Sequence, residues 1–139
     1  MKVTVIDGQG GQLGAQIVKE IKTQMPDICI MAVGTNTVAT SSMLKAGADN
    51  AATGENAVVV ACRKSDVIIG PIGIVIADSL FGEITEKMAV SVGRADAVRI
   101  LIPMNKCDNL IAGVPSLHTK SLISDAVSKL QDVINNQNT

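Results

Sequence analysis

Four glycines fall within "IDGQGGQLG" (6–14), directly after the compact β-rich run "VTVI" (3–6). Without a Cβ, glycine adopts positive φ where other residues lose about 1–2 kcal/mol, and it lets backbone N–H groups approach an anion closely. The chemistry such a loop offers is phosphate binding. N–H groups and the dipole of a following helix favour a phosphate by about 0.3–1 kcal/mol. A strict G-x-G-x-x-G from Gly8 is interrupted by Leu13, but Gly8-x-x-Gly11-x-x-Gly14 is intact, with Gly10 adding access. A P-loop is excluded, because no Gly-Lys-Ser/Thr follows the glycines.

Other strand-like runs also end in small, hydrogen-bonding residues: Gly34-Thr35-Asn36-Thr37, Thr53-Gly54-Glu55-Asn56, Gly70-Pro71-Ile72-Gly73 and Pro103-Met104-Asn105-Lys106. In a parallel sheet these ends share one rim, where ligands bind near the switch in strand order. The expected site is Asp7, Gly8, Gln9, Gly10, Gly11 and Gly14 around a phosphate. Thr35 and Asn36 would face a ribose, with Gly70, Pro71 and Gly73 at the border. The ligand is then NAD(P) or another nucleotide.

The glycine frame resembles that of the extended short-chain dehydrogenases, but the chain has no tyrosine, so their Tyr-x-x-x-Lys pair is impossible. Two further features depart from an ordinary NAD site. The second strand ends without the Asp or Glu that meets the ribose. Asn36 or Thr37 would replace it or meet a 2′-phosphate, or would only cap the next helix. Asp7 precedes the turn, where its charge opposes a pyrophosphate. It would brace loop N–H groups, hold a ribose hydroxyl or help bind magnesium.

Acid–base machinery is thin. His118, the single histidine, has no carboxylate or cysteine motif around it. Cys29 is expected inside a strand and Cys62 on an apolar helix face. Cys107, beside Lys106 in a rim turn, is the one thiol placed for a lowered pKa. Asp78, Glu55 and Glu83 are the carboxylates within reach of the rim, although helix-start or solvated roles are more usual. No catalytic residue is assigned, and no set of metal ligands is expected.

The elements that must position these residues follow from periodicity. Leu13, Ile17, Ile21 and Met25 recur every four residues, an amphipathic helix stopped by Pro26. "ICIMAV" (28–33) suits a buried parallel strand. A helix follows from Asn36 or Thr37 to Gly47, then a short strand within 48–53 and a helix over 55–64, where the β-branched Val58 to Val60 also permit a strand. A strand is expected at 66–73 and a mostly helical stretch at 77–95, interrupted at Gly82 with Thr85 as a second N-cap. A strand at 98–103 precedes "NLIAGV" (109–114), and a long amphipathic helix covers Leu117 to Ile134. Alternating strands and helices give an α/β class, a three-layer α/β/α Rossmann-like sandwich with a mostly parallel, doubly wound sheet. The length of 139 residues suits one domain over 1–139.

Composition narrows the partners. Twelve basic and 13 acidic residues leave a net charge of −1 without a basic stripe, which argues against nucleic acid or an anionic membrane surface. Apolar runs stay short of a membrane span. The start, "MKVTVID", lacks a signal-peptide core, and three widely spaced cysteines fit a reduced cytoplasm. Apolar residues make up 47% and charged residues 18%, an excess that predicts self-association, a dimer in the simplest case.

Taken in order, "VIDGQGGQLG", "GTNTVATSSMLKAGADNAATGEN", "DVIIGPIGIVIADSLFGEIT" and "ILIPMNKCDNLIAGV" resemble the bacterial domain of unknown function 3842. The resemblance reaches to about residue 114 and implies a small Rossmann-like domain; it supplies no catalytic residues. The expected function is binding of a phosphate-containing ligand by the glycine loop. The alternative is an oligomeric sensing or scaffolding module that performs no chemistry.

Overall fold

Five short segments pair into one wholly parallel sheet in the protein, a computed structural model that describes residues 1–104, 109–114 and 118–137. They are β1 (Val3–Asp7), β2 (Ile30–Gly34), β3 (Asn50–Thr53), β4 (Val67–Pro71) and β5 (Val98–Ile102), in the order β3-β2-β1-β4-β5. Every residue of β1 and of β4 is buried, which is why both read as continuous rather than alternating apolar runs. The register sets Asp7 opposite Gly34 and Val5 opposite Ile69, so the carboxyl ends of β2, β1 and β4 lie side by side.

Helices cover both faces. α1 (Gln12–Gln24), α2 (Thr37–Lys45) and α5 (Thr119–Gln137) pack on one side around Ile17, Met43 and Leu130. α3 (Glu55–Lys64) and α4 (Glu86–Arg94) pack on the other around Val58, Met88 and Val92. This is the expected three-layer α/β/α Rossmann-like sandwich. Its switch in strand order lies between β1 and β4, and it opens a crevice at their carboxyl ends.

Some local expectations fail. β4 stops at Pro71 and continues as a 3₁₀ turn, Ile72–Val75, because the rim chain curls back. The stretch 77–84 is a series of turns rather than helix, and α4 starts only where the Thr85 hydroxyl caps the Met88 N–H. Asp78, Leu80 and Phe81 have φ of 67, 55 and 56°, in the left-handed region that non-glycine residues avoid. The buried Ser79 hydroxyl, bonded to the Gly73 carbonyl, holds this segment, and so does the Asp78 N–H on the Ile84 carbonyl at 2.7 Å. Cys29 precedes β2 and is exposed, since the strand begins one residue later. Asn105, Lys106 and Cys107 lie outside the described residues, as does Leu117.

Among the described residues, no helix is long and apolar enough to cross a membrane.

Candidate functional site

The loop between β1 and α1 is organised by a carboxylate from within. Asp7 is buried, and its two oxygens accept the N–H of Gly8 at 2.8 Å and of Gly14 at 2.7 Å. Burial pushes its carboxyl above the ordinary value, those two N–H bonds pull it back, and the nearby Glu83 charge adds a push upward. Asp7 therefore occupies the end of α1 where an incoming anion would otherwise meet the Gly14 N–H. Of its expected roles, the geometry displays the brace.

The glycine frame is packed against protein. Gly11 has φ 72° and backs onto α2, where an added Cβ would lie 2.6 Å from the Ala39 Cα. At Gly14 it would meet Met43 Sδ at 2.6 Å and Asp7 Cβ at 2.8 Å. At Gly8 it would meet the Thr35 hydroxyl at 2.5 Å. These glycines let α1, α2 and the loop close on one another. Gly10 differs: it is exposed, and its nearest neighbour would be Gln12 Cγ at 4.0 Å. Among the described residues, the N–H groups of Gly10, Gln12 and Leu13 have no hydrogen-bond partner.

A second carboxylate reaches the rim from the turns before α4. Glu83 Oε1 accepts the Gln9 N–H at 2.9 Å, the Thr35 hydroxyl at 2.5 Å and the Asn36 amide at 2.8 Å; Oε2 accepts the Gln9 side-chain amide at 3.1 Å. Burial alone would raise its carboxyl, but the bonds from Thr35, Gln9 and Asn36 outweigh that and hold it below the ordinary value. Thr35 and Asn36 are thus turned toward Glu83. Asn36 also caps α2 by accepting the Ala39 N–H at 2.9 Å, so its capping role is realised.

Between the loop and the end of β4 lies a cavity of about 400 Å³. Asp7 and the loop from Gly8 to Leu13 form one wall, and Pro71, Gly73, Leu80 and Phe81 form another. Gln16, Ile72, Met104, Asn109 and Thr119 complete the lining. Gly14, Thr35, Asn36 and Gly70 do not line it; Gly70 is glycine because an added Cβ would run into the Ile6 carbonyl of the adjacent strand. A separate cavity of about 440 Å³ opens beside β5 and α5. Of its charged groups, Lys129 and Asp125 pair with each other and Arg99 donates to backbone carbonyls, while Asp132 is a further lining carboxylate.

Residues 2–135 match the family described as a domain of unknown function, DUF3842. The chain belongs to that family. No functionally curated protein matches it in sequence. Among solved structures it is similar to a dodecameric FMN-dependent UbiX-like decarboxylase from Escherichia coli O157:H7. The two share 18% identity at a TM-score of 0.50, over 94% of this chain and 76% of the other. That likeness is one of fold.

Sequence reasoning passed over Phe81. It is the only aromatic residue of the chain, it is 92% exposed, and it lines the cavity. Its rarity and the neighbouring Gly82 were the available signals. Glu83 was legible only as one carboxylate near the rim. Glu55 and Asp78 are exposed and do not line the cavity, and His118 is exposed ahead of α5. Burial pushes the Cys62 thiol up to about 11, which suits a core residue rather than a nucleophile. Among the described residues, no group of three or more His, Cys, Asp or Glu could hold a metal ion.

Proposed function

We propose that this chain binds a nucleotide, or another small molecule with a phosphate and a flat ring, in the cavity between the glycine loop and Phe81. The observation that carries the reading is the lining itself: Gly10, Gln12 and Leu13, whose N–H groups are uncommitted, and Phe81 line a single cavity of about 400 Å³. That volume lies in the range of small-molecule sites. The phosphate is received by Gly10, Gln12 and Leu13, where the helix dipole favours negative charge. The ring lies against Phe81, since aromatic faces stack on one another. FMN, the cofactor named for the UbiX-like structure, is a ligand of this class.

Asp7 is the one titratable side chain among the described lining residues, and both its oxygens are engaged. That favours binding without acid–base chemistry by this chain alone, as in a sensing module. Self-association remains part of the reading: Phe81 and Leu110 are 92% and 93% exposed, and the UbiX-like protein is dodecameric. The exposed Cys29 thiol fits a reducing, cytoplasmic setting.

Calorimetric thermal shift against FMN, AMP, NADH, NADPH, coenzyme A and sugar phosphates tests the proposal. A ligand at one hundred times its dissociation constant adds about 2.7 kcal/mol. No shift with any of them would refute it.

A further inference from the structure

We infer that Glu83 is a specificity-determining residue that limits the ligand to a mononucleotide. A dinucleotide in a sheet of this kind crosses the glycine loop, with one half beyond β1 and β4 and the other at the end of β2, where a carboxylate meets its ribose. Here the β2 end carries Gly34, Thr35 and Asn36 and no acid. A carboxylate stands there nonetheless, delivered from the turns before α4.

That carboxylate is already satisfied from the protein. Gln9 N–H, the Gln9 amide, the Thr35 hydroxyl and the Asn36 amide converge on it. These are the donors a second ribose or phosphate would need. The Gln9 amide also donates to the Leu80 carbonyl at 3.2 Å, and Leu80 Cδ1 stands 3.0 Å from where a Cβ on Gly8 would sit. The turns therefore lie across the path from β1 to β2. The open cavity ends on the β4 side: Gly8 to Leu13, Pro71 and Gly73 line it, whereas Thr35 and Asn36 do not. Half of the dinucleotide crevice is open, and the other half is filled by the chain's own acid. The inference rests on the nucleotide reading above and specifies the size of the ligand.

Isothermal titration with matched pairs, FMN against FAD and AMP against NAD, tests it on the full chain. Each dinucleotide contains its mononucleotide, so only length differs. Wild type is expected to favour the mononucleotide of the pair it binds by about tenfold or more. Glu83→Ala frees the donors and moves the ratio toward one. Glu83→Gln keeps the bulk and an acceptor oxygen and holds the ratio near wild type. A merely structural role for Glu83 would weaken both members together and leave the ratio unchanged. Should Glu83→Ala fail to fold, Glu83→Asp draws the carboxylate back by one methylene and is expected to narrow the ratio as well. Equal affinities in wild type, or an unaltered ratio in folded Glu83→Ala or, failing that, Glu83→Asp, overturn the inference while leaving the nucleotide reading intact. Absence of binding by all four probes overturns both.

Discussion

The Glu83 carboxylate accepts the backbone N–H of Gln9 at 2.9 Å, joining residues 74 positions apart in the chain. With Asp7 on Gly8 and Gly14, it means that two carboxylates of the protein already sit on the glycine loop. Among the described residues, Gly10, Gln12 and Leu13 keep the loop N–H groups that have no protein partner.

Removing Glu83 should loosen the turns before α4 rather than unfold the protein. Hydrogen bonds to charged groups contribute about 1.5–3 kcal/mol when buried and less in a half-exposed site such as this one. Glu83→Ala is expected to lower stability in urea by about 1–2 kcal/mol and to accelerate hydrogen exchange at the Gln9 amide. Unchanged exchange would show that the bond to Gln9 does not persist in solution.

The two carboxylates should have midpoints shifted in opposite directions. Glu83 is held below its ordinary 4.5, so its contribution to stability is present above that pH and is lost as pH falls through the folded value. Asp7 is raised above its ordinary 3.8, so its contribution is present below that pH and is lost as pH rises through the folded value. Carbon-detected NMR of the side-chain carboxyls should show the usual gap between aspartate and glutamate narrowed or inverted. An Asp7 midpoint below 3.8 would contradict this account of its burial.

Gly10 and Gly11, adjacent in sequence, should respond differently to alanine. Gly11→Ala forces a left-handed residue against the Ala39 backbone and is expected to cost about 2–4 kcal/mol in denaturant unfolding. Gly10→Ala meets open space and should stay within about 0.5 kcal/mol of wild type. It should also weaken FMN binding about tenfold, or 1.4 kcal/mol, by crowding the anion position. A Gly10→Ala protein that binds normally would place the phosphate elsewhere.

Phe81 carries backbone strain and almost no packing. At φ 56° and 92% exposed, it should yield a more stable protein when replaced by glycine, by about 0.5–1 kcal/mol after the entropy of the unfolded chain is counted. The same Phe81→Gly protein is expected to lose affinity for ring-bearing ligands, read by titration calorimetry. A more stable variant with undiminished affinity would remove the ring from the site.

Much of the fold was legible because the local signals and the tertiary context agree. The Leu13–Ile17–Ile21 stripe does face the core, and "VTVI" and "ICIMAV" contribute the fully buried β1 and the largely buried β2. The segment 77–84 was misread as helix because its composition permits one. What decides against it is nonlocal, with Ser79 held by Gly73 and Glu83 by Gln9, Thr35 and Asn36. The glycine frame was readable as a pattern, but not as packing. Only three-dimensional structure shows that Gly11 and Gly14 make room for Ala39 and Met43, and that Gly10 alone in the loop is open. Cys29 slipped out of its expected strand by one residue, within the ordinary uncertainty of element ends.

Amide NMR during titration with FMN and, separately, AMP tests the central claim most directly, because it reports where a ligand sits without requiring a reaction. Binding in the proposed cavity should shift the amides of Gly10, Gln12 and Leu13 together with Phe81, and leave Val98 to Ile102 in place. Shifts confined to the groove between β5 and α5, or none with either nucleotide, would contradict it.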